Sequence, residues 1–95
     1  MIANERVTRM KVRIPTPLRS YTDQQSTVEA DADTLEKLFS ELDRRFPGFR
    51  FRVVDEQSRL RRHMKVFVND EAVRDLSAPL NPTDEVTIMQ ALSGG

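Results

Sequence analysis

Few side chains in the 95 residues have the types and spacing that reaction chemistry needs. His63 is the only histidine and there is no cysteine, so a metal site or a thiolate or histidine-assisted nucleophile has little to be built from, and His63 reads as a surface residue. Asp70 and Glu71 are adjacent carboxylates, but neighbours in a strand face opposite sides, and VNDEAV reads as a hairpin turn rather than an acid–base pair. Gly48, Gly94 and Gly95 are the only glycines, too dispersed for a phosphate-cradling loop. What remains is the ending ALSGG. Glycine makes up about 7% of residues on average, so two in the final positions arise by chance roughly once in two hundred chains. A carboxylate on Gly95 has no Cβ crowding its carbonyl, and glycine's wide φ/ψ range suits Gly94 to a narrow tunnel in another enzyme, with Ala91, Leu92 and Ser93 as spacer. A carboxylate is a poor electrophile until it carries a leaving group. Adenylation of Gly95 by an ATP-using partner would give an acyl phosphate anhydride open to attack by sulfur or an amine, making this chain a co-substrate rather than an enzyme.

A second feature is basic. Arg44, Arg45, Arg50, Arg52, Arg59, Arg61 and Arg62 place seven cations within nineteen positions, interleaved with Phe46, Phe49 and Phe51. Such a pattern suits RNA or an acidic protein face. Fifteen Lys and Arg cancel fifteen Asp and Glu over the whole chain, however, so no field of one sign gathers nucleic acid or anionic lipid. The cluster therefore reads as a solvated loop with its aromatics turned inward, an acidic protein partner being the alternative.

Hydrophobic residues at 38% and charged residues at 32% give a globular balance, and the length allows one small domain. The absence of cysteine fits a reducing compartment, MIANERVTRM has no apolar signal-peptide core, and no apolar run approaches the ~20 residues of a membrane span. A cytoplasmic protein, monomeric when alone, is the expectation.

Residues 1–9 read as a flexible leader. Met10, Val12 and Ile14 then alternate against Lys11 and Arg13, a half-buried strand that Pro15 and Pro17 terminate in an extended segment towards Leu18 and Tyr21. Residues 26–30 form a second strand pairing back on the first. In DADTLEKLFSELDRRFPG, Leu35, Leu38, Phe39, Leu42 and Phe46 recur at helical spacing; Asp33 is placed as N-cap with Glu36 three residues on, and Pro47 and Gly48 end the helix. In residues 49–63, FRFRVV is either a strand by alternation or a short helical turn before the polar loop DEQSRLRR, and the stretch reads as a loop with short structure. Met64, Val66 and Val68 alternate against Lys65 and Phe67 before an Asn-Asp-Glu turn and a stub of strand at 72–74. A last strand alternates Val86, Ile88 and Gln90 against Thr87 and Met89, then runs into the tail at 91–95. One main helix must cover one face of a mixed four- to five-stranded sheet, with first and last strands parallel and central: an α+β, β-grasp domain over 10–90.

With that tail, the chain resembles the ubiquitin-like β-grasp sulfur carriers of the MoaD and ThiS family over roughly 10–95, most closely the CysO-like carriers of cysteine biosynthesis, on IPTPLRSYT, VFVNDEAVR and DEVTIMQALSGG. The resemblance implies that an E1-like enzyme adenylates Gly95 and that sulfur transfer converts it to a thiocarboxylate. It further implies a pyridoxal-phosphate cysteine synthase as acceptor and a zinc-dependent JAMM-type protease that releases the product. ATP, pyridoxal phosphate and zinc belong to those partners, and none is bound by this chain. Molybdopterin, thiamin and secondary-metabolite synthesis are alternative destinations, as is conjugation to protein lysines. Family docking uses the exposed face of the sheet together with the tail, which makes Phe67 and Met89 candidate partner contacts by analogy.

Overall fold

Alternating apolar and polar residues build five strands into one mixed sheet: β1 (Met10–Arg13), β2 (Thr27–Ala30), β3 (Met64–Val68), β4 (Glu71–Val73) and β5 (Glu85–Gln90), ordered β2-β1-β5-β3-β4. The structure, a computed structural model, describes residues 9–91. The leader expected over 1–9 lies outside the described residues except for Arg9, which stands 3.7 Å from Asp31. β1 and β5 are parallel neighbours in register Lys11 to Glu85, Val12 to Val86 and Arg13 to Thr87, while β3 runs antiparallel to β5 on its other side. The first and last strands therefore meet at the sheet centre, joined by a connection long enough to carry the helix, as the element order requires.

The inner face carries Met10, Val12, Val28, Ala30, Met64, Val66, Val86 and Ile88, none more than 4% exposed. Against it lies α1 (Leu35–Arg45), whose Leu35, Leu38, Phe39 and Leu42 are completely buried. Burying a side chain of this size stabilises by about 1.5–3 kcal/mol, so this stripe, rather than helix propensity, holds α1 in place.

The start of α1 differs from expectation. Thr34, not Asp33, is the N-cap: its Oγ1 accepts from the Lys37 amide at 3.2 Å. The chain stays extended one residue longer because Thr34 bridges Pro79 and the Asp33 carbonyl accepts from the Leu80 amide. The first helical amides, of Leu35 and Glu36, donate to the carbonyls of Ala78 and Leu76, so the proline-bearing connector before β5 caps this helix. Glu36 is thereby released from a capping box and instead accepts from the Arg50 guanidinium at 2.9–3.1 Å. Replacing Thr34 by Ala should cost about 1 kcal/mol. The expected fall in melting temperature is about 4–8 °C, and Thr34→Ser should restore it; equal melting of all three proteins would remove this cap from the account.

One other segment departs from its reading, and another settles between its two alternatives. Residues after Pro15 form a 3₁₀ helix (Thr16–Tyr21) rather than an extended stretch, because Pro17 suits a first helical turn and the Leu18 amide reaches the Pro15 carbonyl. Residues 49–53 form a short helix, α2 (Phe49–Val53). Gly48 permits it: its φ is +94°, and a Cβ there would stand 3.3 Å from the Tyr21 ring. Asp43, from α1, then accepts from the amides of Gly48 and Arg50, both at 3.1 Å, capping the incoming turn.

Candidate functional site

β5 is paired with β1 from Glu85 to Thr87 and with β3 from Val86 to its end at Gln90, where the expected tail begins. The last described backbone bond is from the Ala91 amide to the His63 carbonyl, 2.7 Å, one step beyond the pairing of Gln90 with Met64. Ala91 is exposed; Leu92, Ser93, Gly94 and Gly95, the rest of the expected reactive arm, lie outside the described residues. What the fold contributes is a fixed departure point: β1 pairs with β5 from Glu85 to Thr87, and the β3 ladder carries on through Gln90 to the Ala91 amide.

His63 is held in turn. Arg74, just past β4, donates to the carbonyls of Leu60 (3.0 Å), Arg61 (3.2 Å) and Met64 (3.1 Å), gathering the chain that leads into β3. Hydrogen bonds from a charged donor contribute about 1.5–3 kcal/mol each at best, and less when exposed. Arg74→Met should therefore speed amide exchange at Ala91 by about tenfold or more while the α1 amides keep their wild-type protection; uniform acceleration across the domain would mean that Arg74 supports global stability alone.

The outer face of the sheet passes beside the same strand. Phe67 stands opposite Thr87, and Met89 opposite Lys65, so Phe67 and Met89 are diagonal neighbours on one surface. Met89 is 49% exposed and Phe67 is half-buried. Charges of both signs surround them: Lys65 stands opposite Met89, Arg13 pairs with Glu85 at 2.8 Å, and Lys11 sits between Glu29 and Glu85 in register. This is a small apolar surface among charged neighbours, a suitable contact for another protein.

The arginine cluster is not one surface. Arg44 pairs with Glu41, Arg50 with Glu36, and Arg45 donates to the Glu29 carbonyl at 2.6 Å and lies 5.2 Å from the Phe46 ring centre. The aromatics divide as well: Phe49 is wholly buried, but Phe51, expected to turn inward, is 57% exposed. Helical geometry causes this, since in α2 Phe49 and Val53 share the core face and Phe51 falls about 200° around from Phe49. Asp55 holds the following turn by accepting from the Gln57 and Arg59 amides at 2.9 and 3.0 Å, and these bonds, the Arg59 amide foremost, keep its carboxyl below the usual range. Among the described residues no helix is long and apolar enough to cross a membrane.

Comparison with known proteins places this geometry. The ThiS family matches residues 12–95. The sulfur carrier protein CysO of Mycobacterium tuberculosis is 39% identical over 89 residues, covering 88% of this chain and 96% of that protein. CysO in the BexX/CysO complex from Amycolatopsis orientalis superposes with a TM-score of 0.84 at 37% identity, covering 90% of this chain and 99% of the other. The modifier protein SAMP1 of Haloferax volcanii follows at 0.76 and 26% identity, with 92% and 99% covered.

Proposed function

The chain belongs to the ThiS family, and on that premise we propose that it is a sulfur carrier of the CysO type, whose Gly95 carboxylate is the group that reacts. The observation that carries this reading is the sequence Gly94-Gly95, four and five residues after the end of β5, whose course is held as far as the Ala91 amide by the His63 carbonyl. A family match that continues through residue 95 supports it. A carrier of this type is a co-substrate rather than an enzyme.

The chemistry belongs to the end of the chain. A carboxylate oxygen of Gly95 attacks the α-phosphate of ATP held by an E1-like enzyme, and pyrophosphate leaves. Hydrosulfide then attacks the carbonyl carbon of the mixed anhydride, AMP leaves with the bridging oxygen, and a thiocarboxylate remains. Delivery to an acceptor on a pyridoxal-phosphate cysteine synthase, followed by release at a zinc-dependent JAMM-type protease, makes cysteine the proposed destination. ATP, pyridoxal phosphate and zinc are the partners' cofactors. The carrier acts as a monomer, which leaves the arm accessible.

Incubation with the E1-like enzyme of the same organism, ATP and sulfide should raise the intact mass by the difference between sulfur and oxygen. An unchanged mass, with that enzyme competent on its own carrier, would overturn the reading. The similarity to SAMP1, whose description is that of a modifier, supports a second reading in which Gly95 is joined to partner lysines. Protein recovered from cells under denaturing conditions would then run as a ladder, whereas a carrier gives one band.

A further inference from the structure

Five basic or aromatic side chains meet where the tail leaves the sheet, on a surface distinct from the Phe67 and Met89 face. Phe51, Arg52, Arg61 and His63 line one shallow concavity, and Arg61, Arg62 and His63 line the next. The His63 carbonyl anchors Ala91, so this surface adjoins the root of the reactive arm. Arg61 organises it, donating to the Phe51 carbonyl at 2.7 Å with its guanidinium carbon 4.5 Å from the centre of the Phe51 ring. Arg52 lies 5.9 Å from the Tyr21 ring centre.

Its charge is positive on balance. Among the described residues Arg52, Arg61 and Arg62 form no ion pair, unlike Arg44 and Arg50 in the same run. Asp55 lines the second concavity with Arg59, Arg61 and Arg62 and offsets part of their charge, one of its oxygens accepting from the amides of Gln57 and Arg59. An exposed aromatic with one guanidinium over it and a second lining the same concavity is complementary to an acidic surface with a small apolar socket. Single-stranded nucleic acid is a poorer match. It needs a track of stacking platforms, and here there is one exposed ring with Arg61 already against it.

We propose that the surface formed by Phe51, Arg52, Arg61, Arg62 and His63 is a docking site for an acidic patch on the enzyme that adenylates the tail, seated beside the mouth of that enzyme's tail channel. The inference rests on the carrier reading and adds to it a second contact, beside the His63 carbonyl that binds Ala91. Together with the Phe67 and Met89 face it gives the activating enzyme two holds on the domain, fixing the direction in which Gly95 is presented.

Adenylation kinetics with the E1-like enzyme of the same organism, followed by pyrophosphate exchange at varied carrier concentration, provide the test. The double variant Arg52→Glu/Arg62→Glu should raise KM by about tenfold or more and leave kcat within about twofold, since rim charges act on encounter and docking. Lysine at both positions should recover most of the loss, and Arg44→Glu on α1 should behave as wild type. Added salt should raise the wild-type KM and leave that of the double variant nearly level. An unchanged KM in the double variant, with wild type adenylated, overturns the docking site and leaves the carrier reading intact. Failure of the wild type to be adenylated overturns both. Micromolar binding of a single-stranded oligonucleotide that the double variant loses, with KM unaffected, would reassign the surface to nucleic acid.

Discussion

Deleting Gly95 is expected to lower adenylation by at least about a hundredfold while leaving the melting temperature unchanged. The kinetic part follows from reach. One extended residue spans about 3.3–3.6 Å, so the deletion withdraws the carboxylate by that distance from the α-phosphate, and near-attack geometry loses about two orders of magnitude for a misplacement of only 1 Å. The root is held against compensation by the β3 ladder, which pairs with β5 through Gln90 and continues to the bond between Ala91 and His63. The thermal part follows from burial: among the described residues the buried core runs from Met10 to Ile88, and Gly95 has no side chain to add to it. The shortened protein also retains both proposed docking surfaces, so it should compete with wild type for the activating enzyme. Gly94→Val tests the neck separately, since a β-branched side chain brings both bulk and a restricted backbone. Adenylation of the Gly95 deletion within tenfold of wild type would show that the reacting group lies elsewhere.

The parts of this architecture that can be read without coordinates are those governed by one-face burial. Strands β1, β3 and β5 alternate because their inner residues touch α1 and their outer residues do not, and α1 announces itself through Leu35, Leu38, Phe39 and Leu42. The parallel pairing of β1 with β5 follows from the connection between them. What stays hidden is set by contacts distant in sequence. Thr34 becomes the cap only because the 76–80 connector supplies partners on either side of it. FRFRV alternates like a strand and also places Phe49 and Val53 one helical turn apart, and the choice between the two is made by Asp43 and Gly48, outside the segment. The site shows the same division. Gly94 and Gly95 carry a chemical argument on their own, whereas the seven arginines look like one basic region and separate only when Glu36 and Glu41 are seen to claim Arg50 and Arg44.

Phe49→Ala should be the most destabilising single change in that ambiguous segment, by about 3–5 kcal/mol. A five-residue helix has no stability of its own, since helix formation needs a costly nucleus that so short a run never recovers. α2 therefore exists because Phe49 and Val53, both completely buried, attach it to the core beneath α1. A domain of this size has about 5–15 kcal/mol to lose, so the substitution removes a large fraction of the total, and the melting temperature should fall by at least about 12 °C. The neighbouring ring supplies the control. Phe51→Ala deletes the same side chain two residues away, but from a position 57% exposed, and should cost less than about 1 kcal/mol. If instead the two alanine variants melted together, α2 would not be core-anchored, and Phe51 and Arg52 would have no fixed relation to the root of the tail. If they separate as expected, Phe51→Ala retains a folded protein, and any rise it causes in the KM for adenylation reports on docking rather than on stability.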